Sequence, residues 1–416
     1  MVHQKKLSRR EMLRLMGLSV AGAALSACGQ PAPTAAPKKE PTKAEVTAAP
    51  PSGQPGVLRV WITWGDNPAQ LQSLFNKYGE ANNVKVEVNA PVEDDKVIAA
   101  LSGTEPPDVL VLSGPDSVGT WQREKLLLPL NEIIAANNID LEDIFPAPLS
   151  LCEFGGTYYA LPWGTDTYAL FWNKDLYEDA GLDPDKPPET IEALDAIADQ
   201  LTVIKDGEVI QVGFIPDFSW SHLDLYLKMF GGSIYNEELT EVHLNTPEMI
   251  ECLKWEQHFY SQYGAENILQ FMTALGGYMS PDHGFYASKV AMMVEGEWQP
   301  GPNFIQKYKP ELYYGVAPFP HPERKNTNVV GGTVATIPAG VKSKEASGQL
   351  LAWMMSPEIV AEEMYANFNL PTSKKAAEDP RFHENDKVEV FLKLMADPNA
   401  TISPVSVISA EVNTEL

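Results

Sequence analysis

The chain has 416 residues, more than one ordinary hydrophobic core serves, so two domains are expected. Hydrophobic residues make up 44% and charged residues 21%, the balance of a water-soluble globular protein. Asp and Glu number 56 against 31 Lys and Arg, a net charge of −25 that excludes nucleic acid and an anionic membrane surface as the main partner.

Near the start, Ser8-Arg9-Arg10-Glu11-Met12-Leu13 resembles the twin-arginine export signal. The apolar run in residues 12–27 is broken only by Arg14 and is shorter than the roughly 20 residues a membrane-spanning helix needs, so residues 1–27 read as an export signal. Leu25-Ser26-Ala27-Cys28 resembles a bacterial lipobox, in which cleavage leaves Cys28 as the lipid-bearing first residue. Residues 28–56 then turn to Pro, Ala, Thr, Lys and Glu with one Val as the only large aliphatic side chain. Such a stretch buries too little apolar area to offset its ordering entropy and reads as a disordered tether, on the order of 80 Å long at about 3.1 Å per residue.

Residues 57–64 (VLRVWITW) alternate enough for a strand, and Asn67-Pro68 caps and opens a helix. Residues 84–88 (VKVEV) form a period-two strand, residues 94–101 a helix, and residues 107–112 (PDVLVL) an apolar strand of the kind buried in a parallel sheet. This alternation predicts an α/β lobe. In residues 155–190 a Gly-Gly turn and a short strand at 157–161 meet a break at Pro162, and an apolar strand follows at 168–172. Asn173 then caps a helix that stops at Gly181. A strand that crosses a break and resumes suits a hinge between lobes. Helices are predicted at 191–201, at 223–230 and after Thr246-Pro247, where Cys252, Leu253, Phe259 and Tyr260 share a face; residues 209–214 read as a strand. Residues 314–320 (YGVAPFP) read as a second crossing between lobes, near Val316.

Several of these pieces, taken in order, resemble the extracellular solute-binding proteins of bacterial ABC importers, in their sugar-binding branch. They are Pro106-Pro107-Asp108-Val109, Leu126-Leu127-Leu128-Pro129-Leu130, Gly156-x-x-Tyr159-x-x-Pro162, Trp172-Asn173-Lys174-Asp175-Leu176, residues 285–293 (FYASKVAMM), Gly296-Glu297-Trp298, Gly331-Gly332, residues 337–346 (IPAGVKSKEA) and Leu370-Pro371-Thr372. The resemblance covers residues 57–375, with Lys125 and Ser288 standing where the family usually has Gly. It implies a two-lobed periplasmic-binding-protein-like α/β fold of type II, with residues 57–162 and 317–358 in lobe 1 and residues 163–316 and 359–416 in lobe 2. It further implies a monomer without a cofactor, held outside the cell membrane by lipid on Cys28, that captures a sugar or oligosaccharide between its lobes and delivers it to the permease subunits.

A sugar offers a rim of hydroxyls and a C–H face, so its site needs aromatic planes for the face and fixed acceptors and donors for the rim. Carboxylates suit the rim because each accepts from two hydroxyls. The resemblance makes Trp298, in the Gly-x-Trp element, the leading stacking residue. Trp64 with Asp66, Trp163 with Asp166, and Trp220 stand on predicted loops, and Asp116 follows the apolar strand. Glu297 beside Trp298 joins them, and Gly331 and Gly332 let backbone approach a ligand.

No nucleotide-binding glycine loop, zinc-protease helix or serine-hydrolase elbow occurs, and no His and Cys pair at metal-ligand spacing. Glu295 and Glu297 lie two apart, and Asp183 and Asp185 straddle Pro184. Paired carboxylates serve as acid and base in glycosidases, which makes a sugar-cleaving enzyme one competing reading. The same fold holding a glycerol phosphodiester, peptide or polyamine is another. Cys152 and Cys252 can form a disulfide or remain two buried thiols.

Overall fold

The first strand, β1 (Val57–Ile62), leads into α1 (Pro68–Asn82), β2 (Lys85–Asn89), α2 (Asp94–Leu101), β3 (Val109–Leu112) and α3 (Asp116–Arg123). The computed structural model describes residues 56–65, 67–219, 223–236, 239, 241–321, 329–397, 400–402 and 405–406. The Asn67 side chain accepts from the N–H of Gln70 and Pro68 fills the first turn of α1, where no N–H partner is needed. Leu71, Leu74, Phe75 and Tyr78 recur at three- and four-residue spacing on its buried face. β3 is buried on both sides, as its unbroken apolar run requires.

The chain then passes through β4 (Leu161–Pro162), β5 (Gly164–Thr165) and β6 (Tyr168–Asn173), followed by α4 (Ile191–Leu201), α5 (Leu223–Met229) and α6 (Pro247–Tyr263). After these come β7 (Met292–Gly296), β8 (Tyr314–Ala317), β9 (Val334–Thr336), α7 (Lys344–Met354), α8 (Pro357–Asn367), β10 (Leu370–Pro371) and α9 (Asp386–Ala396). Two sheets organise them. The first runs β2-β1-β3-β9-β4, with β1 parallel to β2 and β3 and with β9 antiparallel to β3 and β4. The second runs β7-β6-β8, all antiparallel.

The expected crossing at Pro162 is built from three short pieces: β4 closes the first sheet, β5 pairs with β10, and β6 lies at the centre of the second sheet. Val316 sits inside the second sheet rather than at a crossing, and the return to the first sheet falls between Ala317 and Val334. The expected lobe boundary at 358 falls within α8. α8 is fastened to α1 by Lys77–Glu362 at 2.5 Å and by Gln70–Glu363 at 2.9 Å, and the next helix, Lys374–Ala377, reaches Asp140 through Lys375 at 2.9 Å. α9 lies against the second sheet, its Phe391 packing on Phe171 of β6 at 5.9 Å.

Local expectations fare unevenly. Asn173 caps its helix by accepting from the N–H of Leu176 at 3.1 Å, and Thr190 and Thr246 do the same for α4 and α6. On α6, Cys252 and Phe259 face the core while Leu253 is 46% exposed, because one residue along a helix turns the side chain by about 100°. The strand expected at 209–214 is a hairpin arm, Glu208–Gln211, followed by an isolated bridge from Val212 to Val290. Lys125 and Ser288 both hold positive φ, 60° and 55°, so the turns keep the shape that glycine adopts freely even though glycine is absent.

Candidate functional site

β1 and β3 run parallel and end together, joined by the Thr63 N–H to Val111 at 3.0 Å and by the Ser113 N–H to the Thr63 hydroxyl at 2.9 Å. Trp64 follows the first strand and Asp116 begins α3 after the second, so both stand at the carboxyl edge of the sheet, where ligands of open α/β folds gather. Trp64 is partly buried, and its indole N–H has no partner among the described residues. Asp116 is open to water at its tip yet hemmed in by surrounding protein. That desolvation, together with the charge of Asp224 on α5, raises its pKa. Asp116 follows a strand of the first sheet and Asp224 stands on α5, so residues far apart in sequence bring their charges together.

The second lobe supplies the aromatic surface. Gly296 at the end of β7 pairs with Tyr168 at the start of β6, and Trp298 stands edge-on to Tyr168, with ring centroids 6.1 Å apart at 88°. A Cβ on residue 296 would lie 2.3 Å from the Trp298 ring, so only glycine lets the indole lie down over the strand. That is the physical content of the Gly-x-Trp element. The Trp298 indole N–H donates to the Tyr278 hydroxyl at 2.5 Å, and that hydroxyl donates to Glu295 at 3.3 Å.

Four carboxyls, those of Asp166, Glu297, Glu295 and Asp116, act on the Tyr168 hydroxyl and, with its burial, push its pKa upward. Burial lifts Asp166 to about 7 and Glu295 to about 7, the latter against hydrogen bonds from Ser219, Gly296, Gln299 and Tyr278. Glu297 is raised by burial and by the adjacent Asp166. Among the described residues, the charges acting most on Asp116 and Glu297 are other carboxylates, those of Asp224 and Asp166. His283, near Glu295 through Ser219, is held neutral by burial, its pKa lowered to about 4.

Trp64, Asp116, Asp166 and Trp298 keep exposed surface, whereas Trp163, Glu297 and Gly332 are buried. Trp163 is fully buried in the first lobe, its indole N–H donating to Met354 at 3.2 Å and its ring against Phe75 at 6.1 Å. Glu297 has no exposed surface and accepts from the Thr167 N–H at 3.1 Å. Gly332, with φ of 126°, is needed for contact with protein rather than ligand, since a Cβ there would meet the Gly164 carbonyl at 2.4 Å. Gly331 is partly exposed, and its backbone pairs with that of Asp166. Asp66, Trp220 and Cys28 lie outside the described residues.

Tyr168 and Tyr278 were not legible from local sequence. Tyr168 opens a strand that its apolar run already explained, and Tyr278 stands on a loop without period. The paired acids Asp183 and Asp185 are exposed on a turn, bonded to Lys186 at 3.2 Å and Lys174 at 2.6 Å. Cys152 and Cys252 are free and buried in different parts of the core. Among the described residues no group of His, Cys, Asp and Glu is placed to hold a metal ion, and no helix is long and apolar enough to cross a membrane.

Comparison with known proteins places this geometry. The chain is 24% identical over 343 residues to a maltotriose-binding protein of Pyrococcus abyssi, spanning 80% of this chain and 70% of the relative. It is 22% identical over 325 residues to a diacetylchitobiose binding protein of Streptomyces coelicolor, spanning 76% and 73%. The solved structure of CpMnBP1 with mannobiose bound superposes with a TM-score of 0.79 at 27% identity, covering 86% of this chain and 92% of that one. The profile of bacterial extracellular solute-binding proteins matches residues 61–361, and the chain belongs to that family, with its two-lobed type II α/β fold.

Proposed function

We propose that this protein is the substrate-binding component of an ABC importer and that it takes a neutral sugar or short oligosaccharide into the cleft between its lobes. The observation that carries the reading is the pairing of one aromatic wall, Trp298 upon Tyr168, with carboxyls that converge on Tyr168 from both lobes. The indole covers a sugar's C–H face, and the two acids with exposed surface, Asp116 and Asp166, meet its hydroxyls, accepting when ionised and also donating when protonated. Similarity to proteins named for maltotriose, diacetylchitobiose and mannobiose supports the class of ligand. Asp116 and Asp224 touch the solute from opposite lobes, so the closed form is the one a ligand favours, as the handling of ligands by hinged binding proteins requires.

The glycosidase reading loses its acids. Glu295 and Glu297 have no exposed surface, and Asp183 and Asp185 sit on an outer turn, so neither pair reaches a glycosidic oxygen. A phosphodiester ligand is disfavoured because the charges gathered at the cleft are negative and none of the described groups acting on them is basic. The lipobox at Leu25-Ser26-Ala27-Cys28 supports anchoring through Cys28, with residues 29–56 as the tether. Replacing Cys28 with Ala is expected to release the protein from the membrane fraction.

Thermal-shift measurement against mannobiose, mannotriose, maltotriose, diacetylchitobiose and glycerol 3-phosphate tests the proposal. A ligand at a hundred times its Kd adds about 2.7 kcal/mol to the folded state, a rise of several degrees. At least one glycan should give that rise and be recovered uncleaved, and glycerol 3-phosphate should give none. A shift with glycerol 3-phosphate alone refutes the proposal.

A further inference from the structure

Beyond α9 the chain is tied down where chain ends are ordinarily loose. Thr401–Ile402 pairs in parallel with Val329–Val330, in the stretch that returns the chain to the first sheet. Val405 and Ser406 are then buried, although the last residues of a domain stay poorly ordered unless something holds them. Two contacts hold Ser406. Its hydroxyl donates to the carbonyl of Leu239, and its own carbonyl rests against Gly119 in α3.

The seat on α3 accounts for the glycine. Apart from proline, glycine is the poorest residue for a helix interior, so its presence within Asp116–Arg123 needs a reason. Gly119 is buried, and a Cβ there would run into the Ser406 carbonyl and lie 3.1 Å from the Phe154 ring. The other seat is the turn of a hairpin. Leu239 has φ of 56° and stands between two arms, in which Tyr235 bridges Val242 and the Asn236 N–H donates to the Glu241 carbonyl at 3.0 Å.

These seats belong to different parts of the body. α3 follows β3 of the first sheet, and Asp116 stands one helical turn before Gly119. The hairpin lies between α5 and α6, whose Tyr226 and Trp255 pack at 5.1 Å. Trp255 packs in turn on Phe214, and the neighbouring Gly213 carbonyl accepts from the Met292 N–H of β7 at 2.8 Å, which joins this block to the second sheet. We propose that the end of the chain, through Thr401–Ile402, Val405 and Ser406, is a strap that fastens α3 to the hairpin between α5 and α6. It thereby sets the spacing of the elements that carry Asp116 and Asp224. Parting them requires Ser406 to leave Gly119 or Leu239, so the strap favours the arrangement in which both walls touch the solute. Only the ligand assay below rests on the carbohydrate reading of the cleft.

Amide exchange on the whole ligand-free chain reads the strap directly. Gly119→Ala should quicken exchange about tenfold at residues 401–402 and 405–406 and in the hairpin arms 234–236 and 241–243, since losing the seat opens both locally. If Phe154 alone takes up the added methyl, only residues near 154 change and the strap is refuted. Ser406→Ala keeps the seat and removes the bond to Leu239, and it should quicken exchange in the hairpin arms about fivefold, the equivalent of one neutral hydrogen bond. Calorimetry with mannotriose should show affinity lowered about tenfold by Gly119→Ala and about fivefold by Ser406→Ala, as the gripping arrangement becomes less populated. Affinity within about twofold of wild type in both folded variants, or tighter binding, overturns the inference. Should Gly119→Ala not fold, Ser406→Ala carries both readouts, and unchanged exchange in the hairpin arms overturns it. If mannotriose and the other glycans of the thermal-shift series bind none of these proteins while exchange changes as described, the fastening stands and the carbohydrate reading fails.

Discussion

Trp298→Ala is the perturbation that reads the cleft most directly. The indole is partly exposed, pinned by its N–H to Tyr278 and braced edge-on by Tyr168, so it is held ready before a ligand arrives. A sugar that covers on the order of 50 Å² of the ring at about 25 cal/mol per Å² gains about 1.3 kcal/mol. The aromatic contact adds about 0.5–1.5 kcal/mol. Truncation should therefore weaken binding by about 20- to 100-fold. Tyr278→Phe leaves the indole in place without its anchor and should cost about one neutral hydrogen bond, roughly fivefold. Both are measured by calorimetry with the glycan that shifts the melting point, beside urea unfolding to confirm that each variant is folded. A folded Trp298→Ala protein that binds within about threefold of wild type would refute the stacking role, since truncation would then cost less than the aromatic contact and the covered area together supply.

Three further outcomes follow from burial and backbone shape. Glu363 is fully buried between Gln70 and Asn367, and burial lifts its pKa to about 7; the fold is thus stabilised by its proton below the ordinary range and loses that stabilisation as pH rises through 7. Glu363→Gln, whose amide can donate to the unpartnered Asn367 Oδ1 if that side chain turns, should be more stable than wild type by about 1–3 kcal/mol at about pH 8.5 and no more stable near pH 4.5, read from urea midpoints. Lys125 is exposed with φ of 60°, so Lys125→Gly should raise stability by about 0.5–1 kcal/mol, the left-handed strain less the flexibility glycine adds to the unfolded chain. In a Cys28→Ala chain, neither Cys152 nor Cys252 should react with a thiol reagent until denaturant is added, because both are enclosed and burial pushes Cys252 to about 12 and Cys152 higher.

What the sequence disclosed depended on the range over which each feature is decided. α2 and α4 fall where their patterns predict, 94–101 and 191–201, because cap and periodicity act within a few residues. Trp163 and Trp298 look alike locally, each an aromatic beside an acid, yet Met354, distant in sequence, accepts from the first, and the loop bearing Tyr278 holds the second. The placement of α8 hangs on Gln70 and Glu363, 293 positions apart, which no local pattern records. Lys125 and Ser288 show the converse. The substitution of glycine at both suggested altered turns, but the surrounding contacts keep the left-handed shape and hold the strain, with Ser288 accepting from Asn173 at 3.1 Å.

The acids of the junction divide by depth, and the division fits what each must do. Asp116 is exposed and Asp166 partly so, while Glu295 and Glu297 have no exposed surface; Glu295 accepts from Tyr278 and Glu297 from the Thr167 N–H, and each leaves its Oε1 without a partner among the described residues. A solute without charge cannot neutralise the outer pair, so the desolvation of closure acts on them as it already acts on the inner pair, favouring protons. A protonated carboxyl both donates and accepts, which is the capacity a hydroxyl-rich rim asks of its partner.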